Sequence, residues 1–416
     1  MRKKELSKWI CIFLLIIIII GENYKTVIAD EIANLNLYAL SACLMDGDNG
    51  RILYGKDENE IRAMASTTKI MTCILALEYG NLEDMVKVSK YAASMPKVKL
   101  YAKENEYYKL KDLLYSLMLE SHNDVAVAIA EHIGGSVENF AIMMNTKAKE
   151  IGCFDTFFIT PNGLDATKNV NGEEKMHSTT AFDLCKIMAY CIKNEEFLNI
   201  TNTSSYSFSN YILNNDNEYV IGGRNHSIAN TNAFLTMMDG VVSGKTGFTG
   251  KAGYCYVAAV NKDGKNLIIS LLGCGWPNNK TYKWSDSKQL FKYGLDNYVK
   301  ETVNDMNIEI PIIYINNGVK GSKRGKVITM PQVVHNDIEM LLSEKDKVTY
   351  IINIPQEINA PVKNNTHIGE IIFYVNNIEI GRDEIYLVDD IEEYNYKWCL
   401  NRILDYFFWK TLPIKK

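Results

Sequence analysis

Apolar residues alternate with polar ones from Tyr38 to Tyr54, broken by Asp46-Gly47-Asp48-Asn49-Gly50, which predicts two short strands joined by a tight turn. From Ser66 to about Ile192 the spacing becomes largely helical, as in Ile70, Met71, Ile74, Leu75 and Leu77, then Leu110 to Leu119 and Asp124 to Ile133. Strand patterns return at Gly253–Val260 and Asn266–Leu272, around the turn signal Asn261-Lys262-Asp263-Gly264. A helical pattern from Ser285 to about Val299 follows. Beyond it come short β-rich segments at Ile308–Ile315, Gly325–Met330, Val348–Ile354, Glu370–Val375 and Ile385–Val388. These patterns predict an α/β (α+β) protein in which terminal strands share one antiparallel sheet around a helical cluster, with a small C-terminal all-β domain.

Both ends depart from this globular pattern. Arg2, Lys3, Lys4 and Lys8 precede the apolar run Trp9–Ile20, and Val27-Ile28-Ala29 offers small residues for cleavage, so residues 1–29 read as a secretory signal peptide. At the other end Tyr396, Leu400, Ile403, Leu404, Phe407 and Phe408 recur at helical spacing with charges between them. That segment is too short and too charged to span a bilayer. Residues 393–416 are therefore expected to form an amphipathic membrane-anchoring helix, with Lys410, Lys415 and Lys416 near lipid headgroups.

Three short motifs carry the candidate chemistry. A serine three residues before a lysine occurs three times, at Ser66/Lys69, Ser94/Lys97 and Ser285/Lys288. Pro96 disfavours a helix at the second, and the third lies in a polar stretch with no partner motif. Ser66 instead opens a buried helical pattern, which puts its hydroxyl on the same face as the Lys69 amine. Lysine titrates near 10.4 in water, so as a base it needs burial or a second cation beside it, and Lys245 is the candidate cation. Ser121-His122-Asn123 lies between two helical patterns, where a short connection can push Ser121 and Asn123 into a cleft and turn His122 away. Lys245-Thr246-Gly247 precedes the two strand patterns, so it belongs on or beside a sheet strand that can bind an extended peptide and clamp a carboxylate. Gly244-Lys245-Thr246 imitates a phosphate-binding loop, but Asp239 stands where that motif needs glycine.

The ordered triplets, together with Pro161-Asn162-Gly163-Leu164-Asp165, His177 to Leu184, and Asp239-Gly240 through Cys255, resemble the serine D-alanyl-D-alanine carboxypeptidases of the low-molecular-mass penicillin-binding protein family. The resemblance implies a β-lactamase/transpeptidase-like catalytic domain over residues 30–300 and a β-rich C-terminal domain over 301–392. It implies that Ser66 attacks the carbonyl between two D-alanines of a peptidoglycan stem peptide, with Lys69 as base and Ser121 and Asn123 in the relay. Lys245, Thr246, Gly247 and Phe248 would bind substrate, the Ser66 and Phe248 amides forming the oxyanion hole. β-Lactam antibiotics would acylate the same serine, with no cofactor and no metal. The location expected is exported, at the outer face of the cytoplasmic membrane or in the cell wall.

Two alternatives share some of these features. A serine β-lactamase adds a glutamate, and Glu195-Glu196-Phe197-Leu198-Asn199 imitates its pattern. A non-catalytic penicillin-sensing or wall-binding module would keep the cleft without turnover. The net charge of −5 excludes a basic nucleic-acid surface, six scattered histidines give no zinc spacing, and no C-x-x-C occurs. With Cys11 in the signal, the remaining eight cysteines are expected as buried free thiols, because several fall in apolar patterns.

Overall fold

The computed structural model describes residues 35–411, with side chains to Phe408; the expected signal peptide, and the tail side chains from Trp409 onward, lie outside the described residues. Among the described residues, 39–411 fall in one compact unit. That unit is built on a five-stranded antiparallel sheet of β1 (Ser41–Asp46), β2 (Ile52–Lys56), β3 (Val241–Thr249), β4 (Gly253–Lys262) and β5 (Lys265–Leu272), in the order β2-β1-β5-β4-β3. Terminal strands do share one sheet. Asp46 organises the first hairpin, accepting from Asp48 N at 3.0 Å and Asn49 Nδ2 at 2.9 Å, while Gly50 takes φ +81°.

Helices cover both faces of this sheet, as the alternation of side chains along a strand allows. Cys43 and Ile268 meet Cys185 of the helix Ala181–Cys191, whereas Leu44 and Leu267 lie against Gly294 of the helix Tyr282–Asn297. The helices Lys69–Tyr79, Leu110–Leu119, Asn123–Gly134 and Val137–Glu150 form the cluster beside it, around a core that includes Ile74, Leu114, Ile129 and Met144. The stretch expected to be largely helical also contains short strands at Met85–Lys87 and Tyr107–Lys109, which join Ser205–Leu213 and Tyr219–Ala229 in a second four-stranded sheet. Three residues are too few to register a period, so the alternation was invisible in the sequence.

Beyond residue 298 the structure is β-rich. Strands His367–Val375 and Ile378–Tyr386 pair with Val348–Asn353 and Gln332–Val334, and Ile313–Lys320 pairs with Lys323–Thr329 and Glu357–Asn359. Two small apolar clusters hold them, one around Phe373 and Ile385 and one around Ile315 and Leu387. This part grips the first hairpin of the central sheet: Arg51 donates to Leu341 O at 2.8 Å and pairs with Asp346, and Leu341 N donates to Asp46 at 3.2 Å. The eight cysteines among the described residues are free, and seven of them are buried.

Candidate active site

The serine motif departs from a regular helix start. Ala65–Thr68 form a 3-10 turn, and the α-helix begins only at Lys69. The cause lies in the threonines, whose hydroxyls donate three residues back, Thr67 to Met64 O at 2.6 Å and Thr68 to Ala65 O at 2.8 Å. Ser66 and Lys69 still share a face. Lys69 Nζ lies 2.9 Å from Ser66 Oγ, 2.9 Å from Asn123 Oδ1 and 2.6 Å from the backbone carbonyl of Asn162.

Lys69 is fully buried, and its pKa is held well below the ordinary lysine value, first by burial and then by the charge of Lys245. A neutral amine has two N–H donors and one lone pair. Asn123 Oδ1 and Asn162 O can only accept, and the Asn123 amide is oriented by its own Nδ2, which donates to Pro96 O at 3.2 Å. Lys69 Nζ donates to Ser66 Oγ as well as to those two acceptors, and Ser66 Oγ donates to Asn162 O at 3.4 Å; in a neutral amine the two acceptors would take both N–H groups and leave the lone pair for the serine hydroxyl.

The second and third motifs complete the cleft. Ser121 takes φ +68° between two helices, and its hydroxyl accepts from Lys245 Nζ at 2.9 Å. Ser121 is thus tied to Lys245, and Asn123 to Lys69. His122 turns away, as expected: its Nδ1 lies 2.8 Å from Ser116 Oγ and its Nε2 3.2 Å from Glu120. Burial, with Lys69 nearby, pushes the imidazole down to about 4, so it is neutral at pH 7. Lys245 also donates to Thr246 O at 3.0 Å, and burial pushes its pKa down to about 7. Thr246 is half-buried, and the Phe248 ring rests on Tyr254 at 4.6 Å. β3 runs so close to the serine turn that a Cβ on Gly247 would sit 2.8 Å from Ser66 N and 3.0 Å from Thr67 N, so the motif needs glycine there.

Glu195 and Glu196, the imitation of a deacylating glutamate, are elsewhere. Glu195 is exposed at the start of the helix Glu195–Asn202, and Glu196 accepts from Asn199 at 3.3 Å. The Asn162 carbonyl is the part of the cleft that sequence reasoning left without a role. Asn162-Gly163 is visible as a turn signal, but nothing in a sequence tells where a backbone oxygen points.

A family profile described as D-alanyl-D-alanine carboxypeptidase matches residues 26–275. The chain belongs to the D-alanyl-D-alanine carboxypeptidase family. A second profile, the C-terminal domain of penicillin-binding protein 5, matches residues 317–393. D-alanyl-D-alanine carboxypeptidase DacF of Bacillus subtilis is 27% identical over 374 residues, which cover 88% of this chain and 89% of that one. The crystal structure of D-alanyl-D-alanine carboxypeptidase DacD from Francisella tularensis shares the fold with a TM-score of 0.63 at 24% identity, over 90% of this chain and 98% of that one. Penicillin binding protein 5 from Haemophilus influenzae shares it with a TM-score of 0.64 at 24% identity, over 86% and 99%. As a D-alanyl-D-alanine carboxypeptidase the chain is a serine peptidase that removes a terminal D-alanine, and an acyl-enzyme that penicillin can also form fits that family. The β-lactamase and sensor alternatives lose their ground with that membership.

Proposed function

We propose that Ser66 is the nucleophile of this carboxypeptidase and Lys69 its general base, acting on the D-alanyl-D-alanine end of a peptidoglycan stem peptide. The observation that carries the assignment is the 2.9 Å approach of Lys69 Nζ to Ser66 Oγ, with Asn123 Oδ1 and Asn162 O accepting from the same amine. Ser66 Oγ attacks the carbonyl carbon between the two D-alanines and passes its proton to Lys69 Nζ. The carbon–nitrogen bond then breaks, and D-alanine leaves with a proton relayed through Ser121, whose hydroxyl is bonded to Lys245. Water attacks the Ser66 ester and frees the enzyme. Lys245 and Thr246 hold the terminal carboxylate, and Asn123 holds Lys69.

The carbonyl oxygen takes up negative charge between the Ser66 and Phe248 amides, a reading supported by the contact of Gly247 with the Ser66 backbone. Removing one such donor typically costs about 3 to 4 kcal/mol of barrier. Release of D-alanine from a pentapeptide ending in D-alanyl-D-alanine tests the roles: wild type should release it and Ser66→Ala should not. Release by both proteins would remove Ser66 from the mechanism.

The family fits an exported protein working at the cell wall. We further infer the division of the chain: residues 1–29 as export signal, 30–300 as the catalytic domain, 301–392 as a β domain that spaces it from the membrane, and 393–416 as the anchor at the outer face. Tyr396–Thr411 is a helix that leaves Leu400, Ile403, Leu404, Phe407 and Phe408 exposed. Its start is fastened, since Trp398 Nε1 donates to Glu392 at 2.7 Å and Arg324 lies over the Trp398 ring. Among the described residues no helix is long and apolar enough to cross a membrane. An interfacial helix suits such a face. Deleting 394–416 should move the exported protein from the membrane pellet to the soluble fraction. Unchanged pelleting would refute the tail as anchor.

A further inference from the structure

Two backbone segments converge on Ser66, and one side chain ties them together. One is the 3-10 turn Ala65–Thr68; the other is the segment 159–163, whose Asn162 carbonyl accepts from Lys69. His177 lies between them, 3% exposed, with Phe158 edge-on to its ring at 5.8 Å. Its Nδ1 accepts from Ile159 N at 2.9 Å and from Thr160 N at 3.3 Å, which leaves the ring proton on Nε2. Nε2 donates to Thr68 Oγ1 at 2.7 Å, and Thr68 Oγ1 donates to Ala65 O at 2.8 Å.

A charged ring would turn a second N–H onto two backbone donors. Burial, with Lys69 nearby, accordingly pushes the imidazole down to about 3, and it stays neutral. The two segments have little slack between them. A Cβ on Gly163, at φ +84°, would fall 2.0 Å from Ala65 O.

We propose that His177 is a positioning residue for acylation: by bonding the 159–160 amides on one side and Thr68 on the other, it fixes the Asn162 carbonyl relative to Ser66 and so aims the Lys69 lone pair. This rests on Ser66 and Lys69 acting as proposed above. The carboxylate-binding groups Lys245 and Thr246 stand on β3, not on either segment. Disturbing His177 should therefore slow the chemical step and leave substrate binding unchanged.

The test uses benzylpenicillin with the full chain carrying Thr68→Val, His177→Asn, both together, or His177→Gln, reading the pre-covalent Kd, the first-order acylation constant and the melting temperature. Thr68→Val removes only the hydroxyl. His177→Asn keeps an acceptor for Ile159 N but has no donor long enough for Thr68, whereas the longer amide of His177→Gln can reach it. Each of the first two variants should acylate roughly 10- to 100-fold more slowly, with Kd within about twofold of wild type. The double variant should be no slower than the slower single, and His177→Gln should recover part of the rate. Acylation at the wild-type rate in folded variants, losses that multiply in the double variant, or a loss confined to Kd would each overturn the inference. Wild-type protein that forms no adduct on Ser66 would instead overturn the underlying assignment.

Discussion

Lys69→Met should lower the acylation rate constant with benzylpenicillin by roughly 10²- to 10⁴-fold, the usual contribution of a positioned general base. The melting temperature should hold or rise. Lys69 is buried beside Ser66, Asn123 and Asn162, and burial already penalises its charged form. Methionine has similar volume and no charge to bury, so removing the amine relieves a cost of folding while it removes the proton acceptor. Wild-type folding should itself release a proton here, because the folded amine titrates below its unfolded value. Stability should therefore rise with pH between those two values, and Lys69→Met should flatten that rise. A stopped-flow acylation series beside a thermal melt checks both halves; a variant that acylates at the wild-type rate would exclude Lys69 as the base.

Lys245→Met should cut kcat/KM for a D-alanyl-D-alanine peptide by roughly 10- to 150-fold, the equivalent of losing about 1.5–3 kcal/mol of charge-assisted hydrogen bonding. The charge has to be present when the carboxylate arrives. Burial pushes Lys245 down to about 7, so the free enzyme loses that charge as pH rises through this value. The alkaline side of the kcat/KM profile should fall there. In Lys245→Arg the guanidinium stays charged at every accessible pH, and the fall should disappear whatever the activity that remains. A pH series on the peptide separates the two lysines, since loss of a proton activates Lys69 and disables Lys245. An alkaline limb unmoved by arginine would assign it to another group.

Much of this arrangement was legible in the sequence, for a physical reason. Two of the triplets sit where element types change and the third lies within a strand, and their side chains are placed by spacing that a helix or strand enforces. A helix face brings Ser66 to Lys69, a connection between helices brings Ser121 and Asn123 into the cleft, and an edge strand brings Lys245. His122 could be set aside because neighbouring side chains on a short connection diverge.

What escaped was carried by the backbone or by long-range contact. The 3-10 turn at Ala65–Thr68 depends on two threonine hydroxyls bonding backward, a competition with the helix that periodicity cannot see. The Asn162 carbonyl and the His177 bridge join positions about a hundred residues from the serine turn. In the second sheet, strands Met85–Lys87 and Tyr107–Lys109 follow from pairing, not propensity. The strand expected at Ile308–Ile315 begins only at Ile313 and runs on to Lys320, through polar residues that pair with the neighbouring strands.

The central claim is that the hydroxyl of Ser66 becomes the ester. Labelling the protein with benzylpenicillin, digesting it and locating the added mass by tandem mass spectrometry reads that atom directly. The adduct should lie on the peptide containing Ser66-Thr67-Thr68-Lys69, fragment to Ser66, and vanish in Ser66→Ala. An adduct on Ser94, Ser121 or Ser285, or a wild-type protein that takes up no label, would contradict the account.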